Sequence, residues 1–112
     1  MTRLAGLVLI VLAVVVAAPG AAQAATCTPP KYPGSGYFTS LKVSHVSCTT
    51  GKSVALAFHR CRTRSSIKGY CHSRVRGYRC TEKRQSISTE IDGRVTCRSA
   101  SRRVELTYQQ NT

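Results

Sequence analysis

The chain has no tryptophan, few carboxylates and none of the cysteine spacings typical of zinc sites. Tryptophan anchors many proteins at membrane–water interfaces, so its absence disfavours attack on a lipid surface. The cysteines lack the C-x₂₋₄-C pairs of structural zinc sites. Asp and Glu number only 4 against 17 Lys and Arg, which gives the 112-residue chain a formal net charge of +13. Neither an internal repeat nor a low-complexity segment is present, and the length suits a single domain.

No apolar run is long enough to span a membrane. Between Arg3 and Pro19 the chain has 15 consecutive apolar residues, whereas a spanning helix needs about 20. A positive residue, an apolar run and the small-x-small sequence Ala22-Gln23-Ala24 are together typical of a secretory signal. We therefore predict a signal peptide over residues 1–24 and a mature chain that begins at Ala25. No Arg-Arg pair precedes the run, which favours the general secretion route of a bacterium and an extracellular location.

All six cysteines lie in the 88 residues that follow Ala24, where 16 basic residues against 4 acidic ones leave a charge of +12. An even number of cysteines in a short exported chain predicts three disulfides. Each disulfide contributes about 2–4 kcal/mol, which is comparable with the net stability of so small a domain. The predicted half-cystines are Cys27, Cys48, Cys61, Cys71, Cys80 and Cys97.

Residues 47–61 predict an amphipathic helix on which the other elements are arranged. With about 100° of rotation per residue, six residues share the predicted buried stripe: Cys48, Gly51, Val54, Ala55, Phe58 and Cys61. Four polar residues are predicted on the opposite side: Lys52, Ser53, His59 and Arg60. Ser47 is placed to cap the helix, because its hydroxyl can accept a hydrogen bond from an unpaired amide of the first turn.

The remaining chain predicts short strands, and the fold class is α+β with the order β-α-β-β-β. Residues 25–36, rich in Pro and Gly, are predicted as an irregular arm, and residues 37–112 as one small domain. Alternating apolar residues predict four strands: 37–46, 78–85, 94–98 and 102–109. Asp92-Gly93 is predicted to be a turn that opens the third of them, and no structure is predicted for the polar residues 86–92.

Three disulfides follow from this arrangement. Cys80 and Cys97 lie at core-facing positions of neighbouring strands, and Cys61 and Cys71 close a short loop after the helix. Cys27 then pairs with Cys48 by elimination. Six cysteines allow 15 connectivities, so this set is one choice among several.

Several segments resemble small exported cysteine-containing proteins encoded in actinobacterial genomes. The resemblance rests on GYFTSLKV followed by SC, a helix ending in HRCR, the segment GYRCTEKR, and VTC with a closing RRVELTYQQNT. It covers most of the mature chain, and its motifs consist of glycines, cysteines and strand residues. The resemblance implies the fold and the exported location, and it implies no activity.

The basic residues are the broadest functional signal. Strand alternation places six cations on the sheet face away from the helix: Lys42, Arg79, Lys83, Arg94, Arg98 and Arg103. Four other residues share that face: Thr81, Thr96, Glu105 and Thr107. Such a face can bind anionic polymers through their phosphates or carboxylates. Because Tyr78 and Tyr108 point inward, no base-stacking platform is expected, and neither is sequence-specific recognition of nucleic acid.

A small secreted ribonuclease is the alternative enzymatic interpretation. Such an enzyme needs a general base, a general acid and cations for the phosphate. Glu82 and Arg84, with His45 or His59, are the candidate groups. The competing interpretation is that the histidines are structural or exposed and that Glu82 forms an ion pair with Arg84.

Zinc is a further candidate, because His59, Cys61, Cys71 and His72 offer two imidazoles and two thiols. Adjacent ligands such as Cys71 and His72 strain tetrahedral geometry, and an oxidising compartment converts thiols to disulfides. No cofactor and no metal are therefore expected.

Two other roles follow from exposed features of the chain. The loop that Cys61 and Cys71 close exposes Arg62 or Arg64 to a trypsin-like protease, as in an inhibitor. Membrane attack is disfavoured, because Phe58 is the only aromatic residue of the helix stripe and is needed for the core.

The sequence thus predicts a secreted, non-enzymatic monomer that adheres electrostatically to anionic polymers at or outside the cell surface. The simplest alternative is that the high charge only keeps an exported protein soluble.

Overall fold

The computed structural model describes residues 10–14 and 24–112. In this part of the chain there are one helix and five strands: β1 (Ala25–Thr26), β2 (Gly36–Ser44), α1 (Cys48–Arg62), β3 (Arg79–Ile87), β4 (Glu90–Ser99) and β5 (Arg102–Asn111). Most of the predicted signal peptide, residues 1–24, lies outside the described residues. Within residues 10–14 and 24–112, no helix has the length and apolar character needed to cross a membrane.

The strands form one antiparallel sheet in the order β1-β2-β5-β4-β3, and α1 packs on it. The predicted fold class is therefore confirmed. The sheet also contains β1, which the sequence did not predict. Ala25 pairs with Val43 and Thr26 with Lys42, so the start of the arm extends the edge of β2.

The helix begins where its capping residue predicts. The Ser47 hydroxyl accepts a hydrogen bond from the Thr50 amide at 3.2 Å, which satisfies one of the unpaired donors of the first turn. Val54 and Phe58 are at most 2% exposed. A side chain at Gly51 would begin 2.5 Å from a methyl carbon of Val43, so glycine allows α1 to lie close against β2.

The core lies between α1 and the inner face of the sheet. Six alternating residues of β2, β4 and β5 are at most 2% exposed: Leu41, Val43, Val95, Cys97, Val104 and Leu106. Alternation with period two puts one buried side chain at every second position of each strand. The same alternation sends the intervening side chains to the outer face, which carries the candidate site.

The predicted turn at Asp92-Gly93 was wrong, whereas the strand predicted over 94–98 lies within β4. Asp92 and Gly93 lie inside β4, and β3 continues to Ile87, so the turn between these strands is at residues 88–89. Gly93 is needed for a different reason. A Cβ atom there would lie 2.1 Å from Cε1 of Tyr108, so the ring of the neighbouring strand fills the space of the missing side chain.

The predicted end of the first long strand was also wrong. The strand was predicted to reach residue 46, but β2 ends at Ser44 because His45 adopts a left-handed backbone conformation with φ 57°. Tyr78 precedes β3 rather than beginning it, and it forms an isolated bridge with Val75.

The three disulfides join the predicted pairs: Cys27–Cys48, Cys61–Cys71 and Cys80–Cys97. All six cysteines lie within residues 24–112, and none of them is free. The first disulfide fastens the arm to the start of α1. The second closes the loop after the helix, and the third joins β3 to β4.

Candidate anion-binding face

The outer face of the sheet is formed by strand residues whose side chains point away from α1. It contains all six of the predicted polyanion-binding residues: Lys42, Arg79, Lys83, Arg94, Arg98 and Arg103. Five of them are exposed, and Arg103 is half-buried. Strand register decides which of these cations are neighbours.

Three arginines lie side by side across three strands. Arg79 of β3 is directly opposite Arg98 of β4, which is directly opposite Arg103 of β5. We call these three residues the arginine row. Opposite residues of an antiparallel pair have Cβ atoms about 4.5–5.5 Å apart, and like charges so placed destabilise the sheet. The row therefore concentrates positive charge at a cost to the fold.

A second group of cations lies further along the same strands. Lys83 is opposite Arg94, and Arg94 is opposite Thr107. Arg94 is four residues from Arg98, which at about 3.4 Å per residue places this pair roughly 14 Å from the arginine row. The hydroxyls of Thr39 and Ser40 each lie 2.6 Å from that of Thr107, so polar groups continue the line toward β2.

The carboxylates of this face are unevenly placed. Glu105 forms an ion pair with Arg103 and is directly opposite Lys42. Asp92 shares a depression of about 340 Å³ with Lys83 and Arg94. Among the residues described, Arg79 and Arg98 form no salt bridge. The uncompensated charge is therefore greatest at the β3 end of the arginine row.

The aromatic residues are mostly buried. Tyr78 and Tyr108 are both 2% exposed, which confirms their predicted inward orientation. The sequence reasoning missed Tyr37, which is 64% exposed and pairs with Gln109 on the outer face. It lies at the far end of the sheet from the arginine row. One isolated ring at that distance does not make a platform for successive bases.

The inner face holds the predicted pair of Glu82 and Arg84. Their side chains are 7% and 8% exposed and form an ion pair. The Tyr108 hydroxyl donates to Glu82 at 3.1 Å, and Arg84 donates to the carbonyl of Lys68 at 2.9 Å. Burial alone would lower the pKa of Arg84, but the hydrogen bond and charge of Glu82 outweigh it and raise the pKa. Arg84 and Tyr108 thus engage both carboxylate oxygens of Glu82.

His59 is buried, and its predicted place on the solvent side of the helix was wrong. It is 7% exposed and packs edge-on against Tyr32 of the arm, with ring centroids 4.7 Å apart. Position 59 flanks the apolar stripe, and the arm covers that flank. Burial first, and then the charge of Arg62, hold the pKa of His59 below its ordinary value.

The histidines and Glu82 have different neighbours. The ring neighbours of His59 are Tyr32 and Phe38, whereas the side-chain partners of Glu82 are Arg84 and Tyr108. His45, the other candidate, is exposed just after β2. In the described part of the chain, no hydrogen bond or salt bridge joins His45 or His59 to Glu82.

Arg62 was predicted to lie in an exposed loop, and this was also wrong. It is the last residue of α1 and is 1% exposed. Its guanidinium donates to the Tyr32 hydroxyl at 2.9 Å, to Gln110 at 3.0 Å and to the Ile67 carbonyl at 2.7 Å. It is therefore unavailable to a protease, whereas Arg64 is exposed.

The zinc candidates do not form a site in the described residues, where no group of three or more His, Cys, Asp and Glu side chains could hold a metal ion. Cys61 and Cys71 are bonded to each other. No known protein family, curated protein or solved structure matches the chain.

Proposed function

We propose that the chain is exported and that the domain from Ala25 onward adheres, without catalysis, to anionic polymers at or outside the cell surface. Three disulfides and the absence of a free cysteine in residues 24–112 support export, because disulfides persist in oxidising compartments. The apolar run before Pro19 and the small residues at 22–24 supply the matching signal sequence.

The arginine row is the observation that carries the proposed ligand class. Directly opposed cations repel each other, and within residues 10–14 and 24–112 neither Arg79 nor Arg98 has a salt bridge to offset that repulsion. An anionic polymer that crosses the strands would neutralise the row. Release of its counterions would then supply binding free energy.

The face offers charge rather than base recognition. Hydroxyl groups and guanidinium groups predominate on it, while Tyr78 and Tyr108 are inside. We therefore expect RNA, DNA and anionic cell-wall polymer to bind with little preference among them. The logarithm of affinity should fall linearly with the logarithm of salt concentration, by about 0.7–0.9 per phosphate contacted.

Two triple variants with equal charge loss separate a localised face from bulk charge. Replacement of Arg79, Arg98 and Arg103 by Gln should weaken binding of a fluorescent RNA oligonucleotide much more than replacement of Arg60, Arg64 and Lys68. All three control residues are exposed and lie off the sheet. Titrations at several salt concentrations would measure both affinity and slope.

Equal losses of RNA affinity in the two triple variants would show that the net charge, rather than a localised face, causes binding. If the wild type does not bind RNA even at low salt, the positive charge serves only to keep the protein soluble. The RNA recovered after titration should be intact. If the wild type degrades the RNA and the Glu82→Gln variant does not, the function is ribonuclease activity rather than adhesion.

A further inference from the structure

Three depressions adjoin the outer face or its β3 edge, and they differ in their carboxylates. The first contains Asp92, and the second, of about 170 Å³, contains Glu105. The third has a volume of about 490 Å³ and no acidic residue. Six residues line it: Cys71, His72, Ser73, Arg74, Arg79 and Cys80. Two arginines and a histidine thus line one depression that has no acidic residue in its lining.

The segment that carries Arg74 is held at both ends. On one side, Cys71 is bonded to Cys61 at the end of α1. On the other, Val75 and Tyr78 exchange backbone hydrogen bonds of 2.9 and 2.8 Å. Val75 and Tyr78 are also 3% and 2% exposed, so they anchor the segment in the core. The backbone of residues 72–74 is therefore ordered before a ligand arrives, which lowers the entropic cost of binding.

The third depression is continuous with the arginine row. Arg79 belongs to both, because it begins the edge strand β3 and lies opposite Arg98. From Arg103 the positive charge therefore runs across Arg98 and Arg79 and over the edge of the sheet to Arg74. Because Glu105 forms an ion pair with Arg103, the positive charge that lacks an acidic partner lies at the β3 end of this line of cations.

We propose that this depression, which we call the edge site, binds one phosphate group of the polymer that occupies the arginine row. Arg74, Arg79 and His72 would be its donors, and the proposal rests on the function proposed above. Guanidinium groups make paired, charge-assisted hydrogen bonds to phosphate. Three separate donor side chains suit the several oxygens of a phosphate better than the two of a carboxylate. The edge site thus makes the β3 edge the centre of binding.

A single substitution with a matched control tests the edge site. Arg74→Gln and Arg64→Gln each remove one exposed arginine from the segment between α1 and β3. Binding of a fluorescent oligothymidylate should weaken several-fold in Arg74→Gln, and its salt slope should fall by about 0.7, the value for one contact with a single strand. Arg64→Gln should leave the slope unchanged. Melting temperatures of both variants would verify that they fold.

A second probe tests the preference for phosphate. Polyglutamate of matched charge presents carboxylates alone, so Arg74→Gln should weaken its binding less than that of the oligothymidylate. Equal effects on the two polymers would overturn the assignment to phosphate, and equal effects of Arg74→Gln and Arg64→Gln would overturn the edge site. In either case, a smaller salt slope for Arg98→Gln than for the wild type would still support the proposed function. Failure of the wild type to bind either polymer at low salt would remove both.

Discussion

Arginine has two opposite uses in this domain. Arg98 lies exposed among like charges, whereas Arg62 is buried and forms no salt bridge within the described residues. A buried cation is costly unless its donors are satisfied. The terminal nitrogens of Arg62 donate to neutral acceptors on the arm, the loop and the last strand, and the guanidinium lies 4.3 Å from the ring centroid of Tyr108. Arg62 therefore holds four parts of the fold together. Its Nε is buried and has no hydrogen-bond partner among the described residues, so part of the cost of burial remains.

These two uses could not be distinguished from the sequence. Arg62 stands in a basic, polar stretch that resembles any solvated loop. Its partners Tyr32 and Gln110 are 30 and 48 residues away, and no local pattern connects them. The same holds for His59, because the rings that cover it, Tyr32 and Phe38, belong to the arm and to β2. Local signals did predict Ser47 as the cap and Phe58 as core.

The buried His59 should make stability depend on pH. Its pKa is below 6.5 in the folded protein and near 6.5 in the unfolded chain. Well above pH 6.5 the His59 side chain is neutral in both the folded and the unfolded state, so its titration does not reduce the free energy of unfolding. As the pH falls below 6.5, the unfolded chain takes up a proton that the folded protein does not, and the free energy of unfolding decreases. Urea unfolding between about pH 7.5 and pH 5 would measure the slope.

One variant assigns that slope to His59. His59→Phe should flatten it, because an aromatic ring remains against Tyr32 and Phe38 but no longer titrates. An identical slope in His59→Phe and the wild type would contradict the assignment.

At the scale of elements, β4 shows where sequence patterns mislead. Asp-Gly is a common turn signal, and here it lies inside a ten-residue strand. The glycine is required by Tyr108 on the neighbouring strand, a contact that joins positions 15 residues apart. The helix, the last strand and the β4–β5 turn were predictable, because each depends on a local period or a short turn.

The contact of Gly93 with Tyr108 predicts a strong coupling between the two residues. Gly93→Ala should destabilise the domain by about 1–3 kcal/mol, because the new methyl displaces a ring held between Arg62 and Glu82. Tyr108→Leu leaves room for that methyl, so Gly93→Ala should cost much less in its presence. Chemical denaturation of both single variants and the double variant would complete the cycle. Additive costs would show that the ring does not constrain this position.

At the scale of the whole molecule, the three disulfides fasten the periphery and leave β5 unbridged. β5 pairs with β2 and β4 and needs no covalent link. Each bridge joins segments that are close in sequence or adjacent in the sheet, at separations of 21, 10 and 17 residues. Cys80–Cys97 and Cys61–Cys71 were therefore predictable from the element order, and Cys27–Cys48 followed by elimination, although six cysteines allow 15 connectivities.

The charge distribution predicts that salt stabilises the domain. Self-repulsion of a domain with a formal charge of +12, strongest where arginines are directly opposed in the arginine row, opposes the folded state at low ionic strength. The melting temperature should rise as sodium chloride increases from about 10 to about 500 mM, because the added salt shortens the distance over which the like charges repel each other. Arg98→Thr, which removes the central charge and keeps a good strand former, should melt higher than the wild type at low salt and respond less to salt. A melting temperature that falls with salt in the wild type would contradict this.

The arginine row links attachment to survival. A polymer that binds only the folded state raises the free energy of unfolding by RT ln(1 + [L]/Kd), where [L] is the concentration of free polymer, and relief of the repulsion within the row is part of that binding free energy. Molecules that detach lose this stabilisation, and extracellular proteases cleave transiently opened chains. Copies bound to the proposed envelope polymer would therefore outlast those released into the medium. Such selective loss would confine the protein to the envelope without a covalent anchor.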